Sequence, residues 1–154
     1  MTDVYPDGSD CVWVAIDQNG SLAAFVTAGE GPIPTAFLKS GYVLESIEDI
    51  ICNLAITSEA RLLASMPRPD DFINMAERGF YVYDWTDIDR TANEVLDAYE
   101  LVAAPINPTN IEMQSTDIKE LVAIVKLEGI VYAEKQLIPI KSLIECTASA
   151  VCTK

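Results

Sequence analysis

The densest group of chemically able side chains is Asp84-Trp85-Thr86-Asp87-Ile88-Asp89-Arg90, with three carboxylates in six residues. Oxygen ligands at that density could hold a hard cation. The run lacks the alternating D-x-D-x-D-G loop and the distal bidentate Glu of a calcium site. Two of the acids could act as an acid/base pair, which needs one carboxyl buried beside another so that their proton affinities separate. A structural use is a turn whose Asp side chains cap backbone groups while Arg90 pairs locally. The remaining use is recognition, because acids beside aromatics suit a Lys/Arg-rich partner through ion pairing and cation–π contact. On that use the partner-binding residues are Tyr81, Tyr83, Asp84, Trp85, Asp87 and Asp89, the two tyrosines only if exposed. Tyr81, Tyr83 and Trp85 could instead stack on a flat ligand, although an aromatic strand face is more often core.

Other chemistries are excluded by what is missing. The chain has no histidine, which removes Ser-His-Asp and Cys-His catalysis, His-ligated zinc and His-based pH switching. A Ser, Thr or Cys nucleophile would need Lys or a carboxylate as its base. Ser40, Ser65 and Lys39 form no S-x-x-K motif. Cys11, Cys52, Cys146 and Cys152 include no C-x-x-C pair and fit no zinc knuckle. Cys11 and Cys52 read as buried thiols. A disulfide between Cys146 and Cys152 is disfavoured in a reducing compartment. Ala28–Pro34 (AGEGPIP) has two glycines beside an acid but no G-K-[ST], so it does not read as a phosphate loop. The expectation is a protein with no catalytic residues, no metal and no cofactor.

Charge narrows the partners. Acids outnumber bases 24 to 10 over 154 residues, a net of −14. Residues 1–100 hold 18 acids and 5 bases, and residues 101–154 hold 6 and 5. Lys39 is the only base before residue 61. The imbalance points to an acidic face from the first two thirds. Such a field repels nucleic acid and anionic lipid and attracts basic proteins. It also keeps a protein soluble without any partner. No signal peptide or span-length apolar run is visible, so the default compartment is the cytoplasm.

The elements that must position these residues follow from period and punctuation. Half the residues are hydrophobic, enough for one buried core at this length. Cys11–Ile16 and Ser21–Thr27 read as strands joined by Asp17-Gln18-Asn19-Gly20, a hairpin signal. Ala36–Leu44 reads as a short strand or turn. Ser46 opens a helix, with Asp49 completing a variant capping box. Arg61–Met66 is compatible with a central strand. Pro69 and the acids Asp70 and Asp71 start a second helix that Arg78 and Gly79 close. Phe80–Trp85 is a strand with Phe80, Val82 and Asp84 on one face and Tyr81, Tyr83 and Trp85 on the other. Residues 87–98 fit either a helical stripe or a long hairpin connection. Leu101–Ala104 is a strand, and Asp117–Leu127 is an amphipathic helix ended by Gly129. Val131–Ala133 and Leu137–Ile140 are strand candidates. The pattern predicts one α+β domain over 1–154. Its sheet is mixed and mainly antiparallel, starts with a hairpin and carries three or four helices. Residues 1–10 are expected to be frayed and 145–154 weakly structured.

Through Cys11–Ile16, Gly31–Pro34 (GPIP) and Phe80–Asp89 (FYVYDWTDID), the chain resembles a group of small acidic bacterial proteins. Some proteins of this kind act as immunity proteins beside contact-dependent or polymorphic toxins. The resemblance implies a non-enzymatic protein that neutralises a basic, nuclease-like toxin domain by occluding it, and complementary charge would speed that association. Two other functions remain open. One is an enzyme or small-molecule-binding domain with a carboxylate site, which requires a concave pocket gathering several acids. The other is a subunit that buries the Tyr81/Tyr83/Trp85 face in an oligomer.

Overall fold

The computed structural model describes residues 10–64, 69–86, 89–91, 94–95, 98–140 and 143–147. The predicted front hairpin forms from β1 (Val12–Asp17) and β2 (Leu22–Val26). They pair antiparallel from Val12↔Val26 to Ile16↔Leu22. Gly20 takes a φ of 84° in the turn, a conformation that carries little penalty only without a Cβ. Asp17 holds the turn: Oδ1 accepts from the Asn19 and Ser21 amides, each at 2.9 Å. Its Oδ2 accepts from the Tyr132 amide at 2.9 Å, so this buried carboxylate also anchors the distant 130s segment.

The chain continues through β3 (Ile33–Pro34), α1 (Thr35–Leu38), a 3-10 turn (Leu44–Ser46), α2 (Ile47–Cys52), β4 (Ala60–Leu62) and α3 (Asp70–Ala76). It then runs through β5 (Tyr81–Thr86), β6 (Asp89–Thr91), β7 (Glu94–Val95), β8 (Ala98–Pro105), α4 (Thr116–Val122) and β9 (Lys126–Leu127). A 3-10 turn (Tyr132–Glu134) precedes β10 (Leu137–Ile138) and β11 (Cys146–Thr147). Seven strands form one mixed sheet in the order β10-β8-β5-β2-β1-β9, with β4 also on β8. β2 and β5 are parallel, as are β1 and β9, and the other pairs in this sheet are antiparallel. The architecture is α+β, as expected, with four α-helices among the described residues.

β1 and β2 are buried along their whole lengths, so both faces of the sheet are covered. On one face Trp13, Phe25 and Tyr83 stand in register on three adjacent strands. Their rings stack at 4.1 Å and 5.1 Å between centroids. Tyr99 meets Trp13 and Phe25 edge-on, and Tyr132 closes over Phe25, Tyr81 and Tyr83. Alternation puts Val12 and Val26 on the other face, where they meet Phe72 and Met75 of α3.

Several elements depart from the sequence reading. Residues 35–38 are helical, where a strand or turn was expected over Ala36–Leu44. Ser46 does not cap α2. It lies in the αR region within the 3-10 turn, and its Oγ donates to the Val43 carbonyl at 2.7 Å. An N-cap needs the extended backbone that Ser115 has, and the Ser115 hydroxyl does accept from Ile118 N. The helix predicted for Asp117–Leu127 stops at Val122, and Lys126–Leu127 add a parallel edge to β1. Val125 and Leu127 are buried around exposed Lys126, a period of two that the edge pairing selects. β4 is short and pairs only with β8, so it is no central strand. Residues 132–134 form a 3-10 turn instead of a strand. The tail is ordered at Cys146–Thr147, which pair with Pro34 and Ile33. In 87–98 the hairpin alternative holds for the described backbone, since β6 and β7 pair antiparallel.

Candidate partner-binding face

The residues predicted to meet a partner are divided by the fold. Tyr83 is fully buried and Tyr81 is 7% exposed, so the condition attached to the tyrosines, exposure, is not met. The physical reason is register. Phe25 opposite Tyr83 and the Tyr132 ring above both tyrosines enclose them. The Tyr83 hydroxyl donates to the Lys135 carbonyl at 2.7 Å. Burial pushes the Tyr83 and Tyr132 phenols well above their usual range, with neighbouring tyrosine and Asp17 adding to the effect. Tyr132 packs over Tyr81 and Tyr83 from within the chain, so of the three residues read as an oligomer face only Trp85 is not buried. Trp85 is half-buried, its ring 5.1 Å from that of Tyr99. Asp84 is half-buried on the opposite face of β5. Asp87 lies outside the described residues, and Asp89 is described only through its backbone in β6. Cys152 also lies outside them.

A different set of acids converges. Asp10 stands just before β1, Glu48 is in the first turn of α2 and Asp71 in the first turn of α3. They surround a concavity of about 180 Å3 whose apolar walls are Val12, Val26, Phe72 and Met75. Asp10 and Asp71 are exposed and Glu48 is half-buried. Glu45 and Asp49 lie close enough for their charges to be felt there, by Cys11 and Glu48 respectively. Every one of these acids comes from the first 100 residues, where the sequence concentrates its charge.

The electrostatics record the crowding. Partial burial of the Glu48 carboxyl raises its pKa, and the charges of Asp71, Asp10 and Asp49 raise it further. A hydrogen bond to the Asp71 side chain adds to the same direction. The Asp10 carboxyl is also raised, first by its apolar walls and then by Asp71. Its bond from the Ala28 amide, 2.9 Å to Oδ1, opposes that shift. Burial lifts the Cys11 thiol to about 11, with Glu45 and Asp10 contributing. No lysine or arginine lines the concavity. Among the described residues no three His, Cys, Asp or Glu side chains are placed to share a metal ion.

Register links this site to one predicted residue. Val26 lines the concavity and pairs with Asp84, which in turn opposes Glu100 on β8. Asp84 therefore shares the sheet face of Val12 and Val26. Sequence reasoning missed Asp10, Glu48 and Asp71 because they lie on three separate elements. The available signal was the acidic first turns of the two helices, which read as dipole complements. Among the described residues no helix is long and apolar enough to cross a membrane. No family model, curated protein or solved structure matches the chain.

Proposed function

We propose that this chain is a non-enzymatic binding protein that receives a basic surface of a partner protein on the Asp10/Glu48/Asp71 face. The carrying observation is the convergence of three carboxylates around a concavity with an apolar floor. That combination suits a lysine or arginine side chain. Its charged head meets the acids while its methylenes lie along Val12, Val26 and Phe72. An inserted cation would also relieve the repulsion from Asp71, Asp10 and Asp49 that adds to burial in raising the Glu48 pKa. Together with the likeness to immunity proteins, this favours a nuclease-like toxin domain as the partner, occluded through its basic active site.

The test is titration calorimetry against the toxin-like domain encoded beside this gene, at two salt concentrations. Affinity should fall with salt, and Glu48→Lys with Asp71→Lys should weaken it at least about tenfold. A neighbouring gene of another kind, or binding indifferent to both reversals, would count decisively against the reading.

One observation favours a second reading, a small-molecule or acid/base site. Glu48 shares a hydrogen bond with Asp71 and holds its proton more tightly than usual, as one half of a carboxyl pair must. Saturable binding of a small organic amine, abolished by Glu48→Gln, would support it.

A further inference from the structure

A second surface is built for apolar contact. The seam between α2 and α4 holds a groove of about 500 Å3. Ile50 and Leu54 form one wall, Ile118 and Leu121 the other, and Asp117 and Glu120 stand on the rim. No lysine or arginine lines it. Leu54 is also a wall of a neighbouring concavity of about 390 Å3 that reaches Met113. The base in that second hollow, Arg78, is already engaged, donating to the carbonyls of Cys52, Leu54 and Asn74 at 2.9, 3.1 and 3.0 Å. Together the two hollows make a trough with an apolar floor and an acidic end.

Two exposed side chains with large apolar surface line the trough, Tyr42 in one hollow and Met113 in the other. They are 37% and 67% exposed. A lone exposed apolar residue needs no explanation, but exposed apolar side chains that open onto one apolar groove mark an interaction site.

We propose that this trough docks an amphipathic helix of a partner protein whose polar flanks carry lysine or arginine. Apolar residues at i, i+3 or i+4 and i+7 would lie along Leu54, Ile118 and Leu121, with basic neighbours against Asp117 and Glu120. Charge selects this occupant. The rim is acidic and the chain carries −14, so an acidic helix or a second copy of this chain meets repulsion. The inference rests on the reading of this chain as a binder of basic proteins. It adds a contact governed by apolar shape, on residues that share nothing with the Asp10/Glu48/Asp71 concavity.

The experiment uses the full chain and two labelled peptides of one composition, followed by fluorescence anisotropy. In the first, leucines recur at i, i+3, i+4 and i+7 and lysines fill the rest; in the second the order is scrambled. The ordered peptide should bind about tenfold more tightly, because only it can present one apolar ridge. Tyr42→Asp with Met113→Asp makes the protein more acidic, yet should weaken the ordered peptide about tenfold. Both positions are exposed, and an unchanged melting temperature verifies the fold. Equal affinity for the two peptides, or undiminished binding by this variant, overturns the proposal. Loss of binding in Glu48→Lys with Asp71→Lys alone also overturns it, while leaving the acidic-face reading standing. Loss in the Tyr42/Met113 variant alone supports the trough and sets the acidic face aside. A dimer in light scattering that Tyr42→Asp with Met113→Asp dissolves would assign the trough to a second copy and overturn helix docking.

Discussion

The two faces of the central sheet use neighbouring residues for opposite ends. At Trp13, Phe25 and Tyr83 the side chains point into a closed aromatic stack, roofed by Tyr132. One residue away, at Val12 and Val26, they point at a small opening rimmed by Asp10, Glu48 and Asp71. The first face gathers large rings, with the Tyr83 and Tyr99 hydroxyls donating to backbone carbonyls and Trp13 Nε1 donating to the Tyr99 hydroxyl. The second gathers like charges, two of which are shifted toward the neutral form by their surroundings. The contrast separates a face that stabilises the fold from one that, on the proposed reading, receives a partner. Closed packing stabilises, whereas clustered acids oppose folding at neutral pH.

The strongest way to break the comparison is to open the closed face. Tyr83→Ala removes a fully buried ring from between Phe25 and Tyr132 and leaves a cavity. Truncations of this kind destabilise by about 3–5 kcal/mol, a large part of a typical domain's stability. Chemical denaturation should show a lower midpoint. Tyr83→Phe keeps the ring and loses only the hydroxyl, which donates to the Lys135 carbonyl at 2.7 Å and more weakly to the Tyr132 carbonyl at 3.3 Å, worth about 1 kcal/mol. Similar losses from the two variants would mean that the hydroxyl, not the packing, holds this face.

A gentler intrusion tests how tightly the stack is closed at its edge. Gly31 passes so near the rings that an added Cβ would meet the Tyr99 hydroxyl and lie 2.9 Å from Trp85. That hydroxyl cannot easily yield, since it accepts from Trp13 Nε1 at 3.1 Å and donates to the Pro32 carbonyl at 3.0 Å. Gly31→Ala should therefore destabilise by about 1–3 kcal/mol through overpacking. Thermal melts measure it, and an unchanged melting temperature would show that the loop moves aside.

These two faces also mark what a sequence can reveal. The front hairpin was legible because Asn19-Gly20 punctuates two runs of β-branched and aromatic residues. The alternation in Phe80–Trp85 correctly placed Asp84 opposite Tyr81 and Tyr83. It could not say which side would be roofed, because Tyr132 comes from the far end of the chain. The helix expected through Leu127 failed for a related reason: Val125 satisfies both periods, Leu127 only the period of two, and β1 offered an open edge. The charge imbalance of residues 1–100 was visible, but its focus was not. Asp10, Glu48 and Asp71 are 38 and 23 residues apart in order, and only the packing of α2 and α3 beside β1 brings them together. The local density at Asp84–Asp89 drew attention because it is contiguous in sequence, which spatial clusters need not be.

The smallest expected effect is the most diagnostic of the acidic face. Glu48 holds its proton more tightly in the folded chain than an ordinary carboxyl does. A raised group contributes stability that is fully present below the ordinary value, near pH 4.3, and is lost as pH rises through the raised one. At neutral pH the native chain therefore carries an unfavourable charge that Glu48→Gln removes. The variant should be more stable than the parent at pH 7, by less than about 1 kcal/mol because water screens this half-exposed side chain. Its advantage should shrink as the pH falls, and vanish once Glu48 is protonated in both folded and unfolded chains. Asp10→Asn should act in the same direction but more weakly, since it also weakens the hydrogen bond from the Ala28 amide. Denaturation curves at several pH values would resolve the trend. A Glu48→Gln chain no more stable than the parent at pH 7 would mean that the three acids do not oppose folding. The case for a cation-receiving face would then rest on shape alone.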